Sequence, residues 1–550
     1  MQYQRTIDWS GGMDELHQPN ALAENAAPLL YDVEVDRVGK LASRPGVVSY
    51  GGRGQTPQGL ALFDPPAGER RLVGFWDGAL YHSSINGIWL EAASDCSLVS
   101  GLHAGQMGRD AGARWRLYVH SVEESPSDAS YWASGLLWVD PNDGSYSQTF
   151  VVRPGCAVFW QGRLWASGFC QSDLAPDTVA WSTIWDGGDW SAYLANNLRV
   201  DPAAGGKVTA LLPARGGEPL LYVFKERAVY LFTVAWNTDG FIPGSANDID
   251  TTTAQIQALS YRVGCLAPLT AIWVPAAEGA DVYFLAHDGL RSLRRTQEDV
   301  ASGGGGLPLT HLLPDLVGRV NWTWAHRAVA ATYGNYYYCA LPLDGSVTNN
   351  HVLVKNLLVG PFEGWTLWRL APRALLAGSF PAPRLFAQLA TATSDTMPGE
   401  STATLAAHVF EIDPDAALRT DPGGSEVRIR VQTRSYDGGQ PGLRKQWRWA
   451  ELEFSADGTG STIWVLARRD DETTWQTLGT FFASTYDNSI TLPAPLPWQF
   501  NIDKLQTTKF GLETVDPSFN LALRLDGTGR GTLRLRQAEV VFVPLAKEWA

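Results

Sequence analysis

Short apolar runs joined by tight turns recur along most of the chain, the second run of each pair being rich in aromatics. The copies are GFWDGALYHS from Gly74, VFWQGRLWAS from Val158, VFKERAVYLFT from Val223, VYFLAHDGLRSL from Val282 and ATYGNYYYCAL from Ala331. Their turns (Asp-Gly, Gln-Gly, Lys-Glu, Gly-Asn) mostly supply or tolerate the positive φ that a two-residue hairpin needs. Turn signals near residues 143 and 344 extend the series, without one fixed period. Allowing roughly 45–65 residues per unit, six or seven four-stranded blades fit residues 49–413. The predicted class is therefore all-β, with an irregular six- to seven-bladed β-propeller at its centre.

The pattern changes at both ends. From residue 425, EVRIRVQTRSYD, RKQWRWAELEFSA, STIWVLARRDD, TWQTLGTFFAS, FGLETV, FNLALRLDG and GTLRLRQAEVVFVPL alternate apolar and polar positions, which predicts a C-terminal β-sandwich over 425–550. SDTMPGES at 394–401 or PGGS at 422–425 marks the expected boundary, and the loop at 123–130 and the glycine run at 303–306 read as flexible. Residues 1–48 read as an N-terminal arm: a short helical stretch at 21–27 that Pro28 ends, a strand around 33–35, a turn at 38–40, and the closing Arg44-Pro45-Gly46. That arm either docks on a neighbouring domain or subunit, or supplies the first strand that closes a ring.

Composition sharpens this. At 550 residues the prior is two or three domains, and 45% hydrophobic against 18% charged residues is a globular balance. A formal charge of −14 with no basic block argues against a general nucleic-acid binder. The acidic surplus is either that of an ordinary soluble acidic protein, the reading that ranks first, or the wall of a channel that passes DNA without holding it. The five cysteines are scattered without a CxxC pair, so buried free thiols are expected. The first residues show no secretory pattern and no apolar run reaches the ~18 residues of a membrane span, which points to synthesis in a reducing cytoplasm.

Candidate chemistry is sparse. The nine histidines show no HExxH or HxH spacing, there is no GxSxG elbow, and Gly303–Gly306 runs into Leu-Pro rather than Lys-Ser/Thr. Asp457-Gly458 in SADGTGSTIW reads as a hairpin turn; Asp140, Asn142, Asp143 and Gly144 read as a polar turn or, alternatively, a calcium loop, and Asp413 and Asp415 likewise. The expectation is no catalytic residue, no metal and no cofactor: a non-enzymatic chain. Trp181, Trp185 and Trp190 in AWSTIWDGGDW are either core or a stacking platform for a glycan or protein partner. Arg428 with Arg430, and Arg534 with Arg536, share faces of their strands and are either solvated or part of a subunit interface.

In order along the chain, these segments resemble a family of bacteriophage tail and neck virion proteins built on a β-propeller. DWSGGMDELHQPNALAENAAPLLYDVEVDRVGKLASRPG at 8–46 resembles the family's opening segment through Trp9, Gly11, Gly12, Asn25, Gly39, Arg44, Pro45 and Gly46. VFWQGRLWASGFCQSDLAPDTVAWSTIWDGGDW at 158–190, KVTALLPARGGEPLLYVFKERAVYLFT, YRVGCLAPLTAIWVPAAEGADVYFLAHDGLRSL and AVAATYGNYYYCALPLDGSVTNNHVLVKN followed by Gly364-Trp365 resemble successive blades. The resemblance implies a virion component of the nozzle type. That is a homo-oligomeric, hexameric ring, assembled in the host cytoplasm with other tail or neck proteins. Its acidic wall would pass genomic DNA through the lumen without specific binding, and it would meet the host cell surface during DNA ejection. A glycan- or receptor-binding tail-tip or neck module is the alternative, and a polysaccharide hydrolase ranks below it.

Overall fold

The structure, a computed structural model of the chain, describes all residues except 37, 54, 67, 84–86, 94–100, 123–135, 150–151, 170–172, 234–254, 277–278, 302–305, 381, 390–407, 415–418, 423, 457–460, 471, 484–505, 513–514 and 546–550. The loop at 123–130, the stretch 394–401, the turn at 457–458, most of the 303–306 run, Asp415, Cys96 and Cys170 fall outside the described residues.

Seven antiparallel sheets follow one another from residue 46 to residue 413. Their first strands are Pro57–Phe63, His103–Arg109, Cys156–Trp160, Val208–Pro213, Ile272–Ala276, Val329–Tyr333 and Pro372–Ser379. These strands touch in succession, with the turn Pro268–Thr270 bridging the fourth to the sixth, and the last returns to the first. The result is a closed β-propeller. All five hairpins read from the sequence are present. Asp77 (φ 41°) and Gly78 (φ 83°) turn one of them, Gln161 (φ 52°) and Gly162 (φ 73°) another, as a twist-matched hairpin requires. Their spacing is irregular for a topological reason: some join the first two strands of a sheet and others the second and third.

The ring is closed by the arm. Gly46–Gly52 forms the outer strand of the seventh sheet, against His408–Asp413, so the two ends of the propeller share one sheet and no first-to-last gap is left. The rest of the arm serves the C-terminal unit. Gln2–Thr6 pairs with Ala538–Phe542 of the long strand Leu533–Pro544, and the hairpin of Val33–Val35 with Leu41–Ser43 joins that same strand. Leu29–Tyr31 lies between Trp365–Trp368 of the sixth sheet and Val427–Gln432 of the C-terminal unit, fusing them into one eleven-stranded sheet. The expected helix at 21–27 does not form. The carbonyls of Asn25 and Ala27 instead accept from Gly11 (3.0 Å) and Asp14 (3.0 Å), and Ala26–Ala27 pairs in parallel with Gly12–Met13.

The C-terminal strands fall into two sheets. Val427–Gln432, Leu521–Gly529, Ser461–Arg469 and Gln476–Ala483 continue the eleven-stranded sheet; Gln506–Gly511, Lys445–Ala456 and Leu533–Pro544 form the other. Ile429, Val431, Leu523 and Leu525 from the first and Leu452, Phe454, Val540 and Phe542 from the second enter one core, which also takes in Trp9, Leu30 and Val33 of the arm and Tyr337, Leu353 and Trp365 of the sixth sheet. Burial of that apolar surface is the main stabilising term, and it spans both units.

At the centre of the junction sits Asp32, fully buried and with a left-handed φ of 55° that Asp tolerates better than most residues. Its carboxylate accepts from Arg44 Nε (2.9 Å), Arg369 Nε (2.5 Å) and the Arg369 amide (2.9 Å). Burial alone would raise its pKa, but the two guanidinium groups outweigh burial and hold the carboxyl below its usual range. Arg44 also pairs with Asp421, and Arg369 Nη2 donates to the Arg428 carbonyl (2.7 Å). Arm and propeller thus meet on one carboxylate, and the two arginines that hold it reach on to Asp421 and, in the C-terminal unit, to the Arg428 carbonyl. Beside it Glu34 retains some exposed surface, yet desolvation pushes its carboxyl up to about 7 against the pull of Arg419 and Arg44; Tyr336 and Tyr338 face it from the propeller.

Because the native state holds the Glu34 proton more tightly than the unfolded chain, this carboxyl's stabilising contribution is complete below pH 4.5 and is lost as pH rises through about 7. Glu34→Gln is therefore expected to shrink the difference in unfolding free energy between pH 5 and pH 8, measured by urea denaturation. An unchanged difference would show that Glu34 does not titrate this way.

Candidate functional site

Among the described residues the seven innermost strands of the propeller carry no Asp or Glu. Neighbouring inner strands also approach closely. A Cβ on Gly105 would stand 2.8 Å from the Ala61 methyl carbon, and one on Gly108 would stand 2.6 Å from the Phe159 ring.

The three tryptophans singled out from the sequence do not form a platform. Trp181, at the end of strand Thr178–Trp181, is 2% exposed and lies 4.9 Å from the Trp165 ring. Trp190 is 3% exposed and donates from Nε1 to the Gly187 carbonyl (3.0 Å). Both are core residues, because the loop between them folds back onto the second and third sheets. Trp185 alone faces solvent, 46% exposed.

Trp185 is held in an unusual way. Its φ of 59° lies in the left-handed region, where a bulky aromatic is rare. Its amide donates to the Gly162 carbonyl (2.6 Å), and its indole rests on Gly162, where a Cβ would come within 3.1 Å of the ring. Across the junction between the second and third sheets, the Arg109 guanidinium lies 4.8 Å from the Trp115 ring and 6.0 Å from that of Trp185. The Arg109 carbonyl accepts from the Gly187 amide (2.9 Å) and the Tyr118 hydroxyl (2.8 Å), which fixes this strand end against the Trp185 loop. Arg109 Nε has no hydrogen-bond partner, and no carboxylate pairs with this side chain among the described residues. Next to Trp185, the Asp186 carboxyl accepts from the Gly188 amide (3.0 Å) and is raised above its usual range, chiefly by burial and then by the neighbouring Asp189 and Asp110.

Arg109 and Trp115 were not legible as site residues: in HAGQMGRDAGARW they flank a hairpin turn, and only the fold stacks them with a loop some 70 residues on. In the same turn, Asp110 is taken by Arg114 (3.1 Å) and by the buried Arg116 (3.0 Å), which also pairs with Asp140 and stacks 4.7 Å from Trp138. The loop considered for calcium is therefore closed as a turn. Asp140 caps the Asn142 amide (3.0 Å), Asp143 caps that of Ser145 (2.8 Å), and Arg116 supplies the cation.

The arginine pairs lie on different sheets. Arg428 and Arg430 alternate with buried Val427, Ile429 and Val431 and point outward from the first C-terminal sheet. There Asp526 pairs with Arg430 (2.8 Å) and Arg524 (2.6 Å), and Trp475 lies between Arg468 (4.8 Å) and Arg524 (5.4 Å). Trp464, 37% exposed, sits opposite Asp526 in that face. Arg534 and Arg536 alternate with buried Leu533 and Leu535 on the second sheet. The two pairs cannot form one patch. Cys156, Cys265 and Cys339 are buried and free, and burial pushes each thiol up to about 12.

No protein-family model matches the chain, and no curated protein matches it. Among solved structures it is similar to the β-propeller domain of Cps50 (Swd1) from Myceliophteria thermophila, with 11% identity, a TM-score of 0.36, and coverage of 68% of this chain and 99% of that one. It is also similar to a glycoside hydrolase family 43 arabinoxylan arabinofuranohydrolase from Bacillus subtilis, with 10% identity, a TM-score of 0.20, and coverage of 96% and 98%. An exo-beta-1,3-galactanase from Phanerochaete chrysosporium gives 8% identity, a TM-score of 0.24, and coverage of 90% and 100%. The expectation of a non-enzymatic chain is corrected by these neighbours: hydrolases stand among them, and the absence of catalysis is not a property assigned to this chain. At such identities and TM-scores the likeness carries neither an activity nor a substrate over to it.

The Trp185 seat is open to a direct check. Gly162→Ala is expected to cost about 1–2 kcal/mol, from the positive φ and the clash with the indole, and to increase acrylamide quenching of tryptophan fluorescence. Unchanged unfolding and quenching would show that the indole does not depend on Gly162.

Proposed function

We propose that this chain is a building block of a bacteriophage tail: a seven-bladed propeller with a C-terminal sandwich that associates into a ring of the nozzle type. One observation supports the reading above others. The opening segment on which the resemblance rests is also the segment that stitches the molecule together. Trp9 is in the shared core, Gly11 bonds to Asn25, Arg44 holds Asp32, and Gly46 begins the strand that closes the ring. A single core through both units suits a part that must keep its shape inside a larger assembly.

In this reading the DNA path runs along the symmetry axis of the oligomer, since the innermost strands of each propeller are close-packed and without acids. The outward face carrying Arg428, Arg430, Arg524, Arg468 and Trp464 has the Arg and Trp content of an interface centre, and its positive excess complements a chain of net charge −14. A heterologous contact of that kind, repeated with closure, generates a ring.

Mass spectrometry of purified particles should find the chain in multiple copies, and antibodies against it should label one end of the tail. Particles that lack the chain would overturn the proposal.

A further inference from the structure

We propose that the Trp185 indole, flanked by Arg109 and Asp186, is a binding site for the pyranose ring of a neutral saccharide. The inference is independent of the tail reading.

An indole left nearly half exposed gives up burial energy, and a left-handed φ at a tryptophan adds strain. The surroundings nonetheless hold it there. The Trp185 amide is tied to the Gly162 carbonyl, Gly162 leaves room beneath the ring, and the following Gly187 amide is tied to the Arg109 carbonyl. The indole is thus presented on a prearranged seat, which lowers the ordering cost of any ligand that stacks on it. The weakly polar C–H face of a pyranose is such a ligand, and an amphipathic aromatic is the side chain suited to it.

The flanking groups narrow the class. Arg109 lies stacked between two indoles with no carboxylate partner among the described residues, although Asp110 is next to it in the chain, because Arg114 and Arg116 occupy Asp110. Asp186 receives backbone hydrogen bonds from Gly188 (3.0 Å) and Asp189 and, among the described residues, no cation. Arg109 thus sets a planar donor fork beside the indole, and Asp186, the next residue in the chain, offers an acceptor; the two are opposite in charge and, among the described residues, not paired with each other. Sugar hydroxyls both accept and donate, so a neutral ring satisfies both groups, whereas an anionic sugar would meet Asp186 and a cationic one Arg109.

The test uses the full chain with maltotetraose, mannotetraose and galactotetraose as probes, read by saturation-transfer NMR and tryptophan fluorescence. At least one tetraose is expected to bind with Kd of about 0.1–1 mM, Trp185→Ala to weaken it about tenfold or more, and Trp185→Phe to retain most of it. Arg109→Gln is expected to weaken the same probe several-fold while leaving thermal unfolding near wild type. Three results would overturn the proposal: no binding of any of the three at 10 mM, which lies about tenfold above the expected range; binding unchanged in a folded Trp185→Ala variant; or Trp185→Ala changing self-association with no saccharide bound, which would make this face a protein contact.

Discussion

The buried carboxylate of Asp32 is the point on which the architecture turns. A charge so deep is tolerated only when paired and hydrogen-bonded, and here its two arginine partners come from the arm and the propeller, one of them reaching on to the C-terminal unit. Arg44 is local to the arm, Arg369 follows the last strand of the sixth sheet, and Arg369 in turn holds the Arg428 carbonyl at the start of the C-terminal unit. Around this centre the hydrogen bonds run the same way: Trp368 Nε1 donates to the Val33 carbonyl (2.9 Å), while Tyr336 Oη (2.9 Å) and Asn356 Nδ2 (3.0 Å) donate to that of Val35. The arm is the joint between the two units rather than an appendage of either.

That joint explains which parts of the fold were legible in the sequence. Local signals were sound: Asp77-Gly78 and Gln161-Gly162 announce hairpins because their backbone conformations favour those residues. The alternation in EVRIRVQ likewise places Val427, Ile429 and Val431 inside and Arg428 and Arg430 outside. Long-range pairing leaves no such mark. Nothing local in Leu29–Tyr31 says that it will lie between Trp365–Trp368 and Val427–Gln432, and the alanines around 21–27 favour a helix until tertiary bonds claim their carbonyls. Helix Leu293–Ala301, which follows the three-stranded fifth sheet, was equally hidden among the hairpins.

The site divides along the same line. Aromatic density in AWSTIWDGGDW was visible, but which of its tryptophans is core depends on how the loop returns onto its sheets. Trp181 and Trp190 go inward, and Trp185 is left out on a seat that Gly162 makes possible. The partners that give Trp185 chemical character, Arg109 and Trp115, belong to another sheet and are joined to it only by the packing of the ring.

The claim that one buried carboxylate joins both units is tested most directly by calorimetric unfolding of Asp32→Asn, since Asn accepts the left-handed backbone at this position. The wild type should unfold in a single transition. The variant, with two arginines left facing a neutral amide, should lose about 3–5 kcal/mol and split into separate propeller and C-terminal transitions. A single transition at the wild-type temperature would contradict the account.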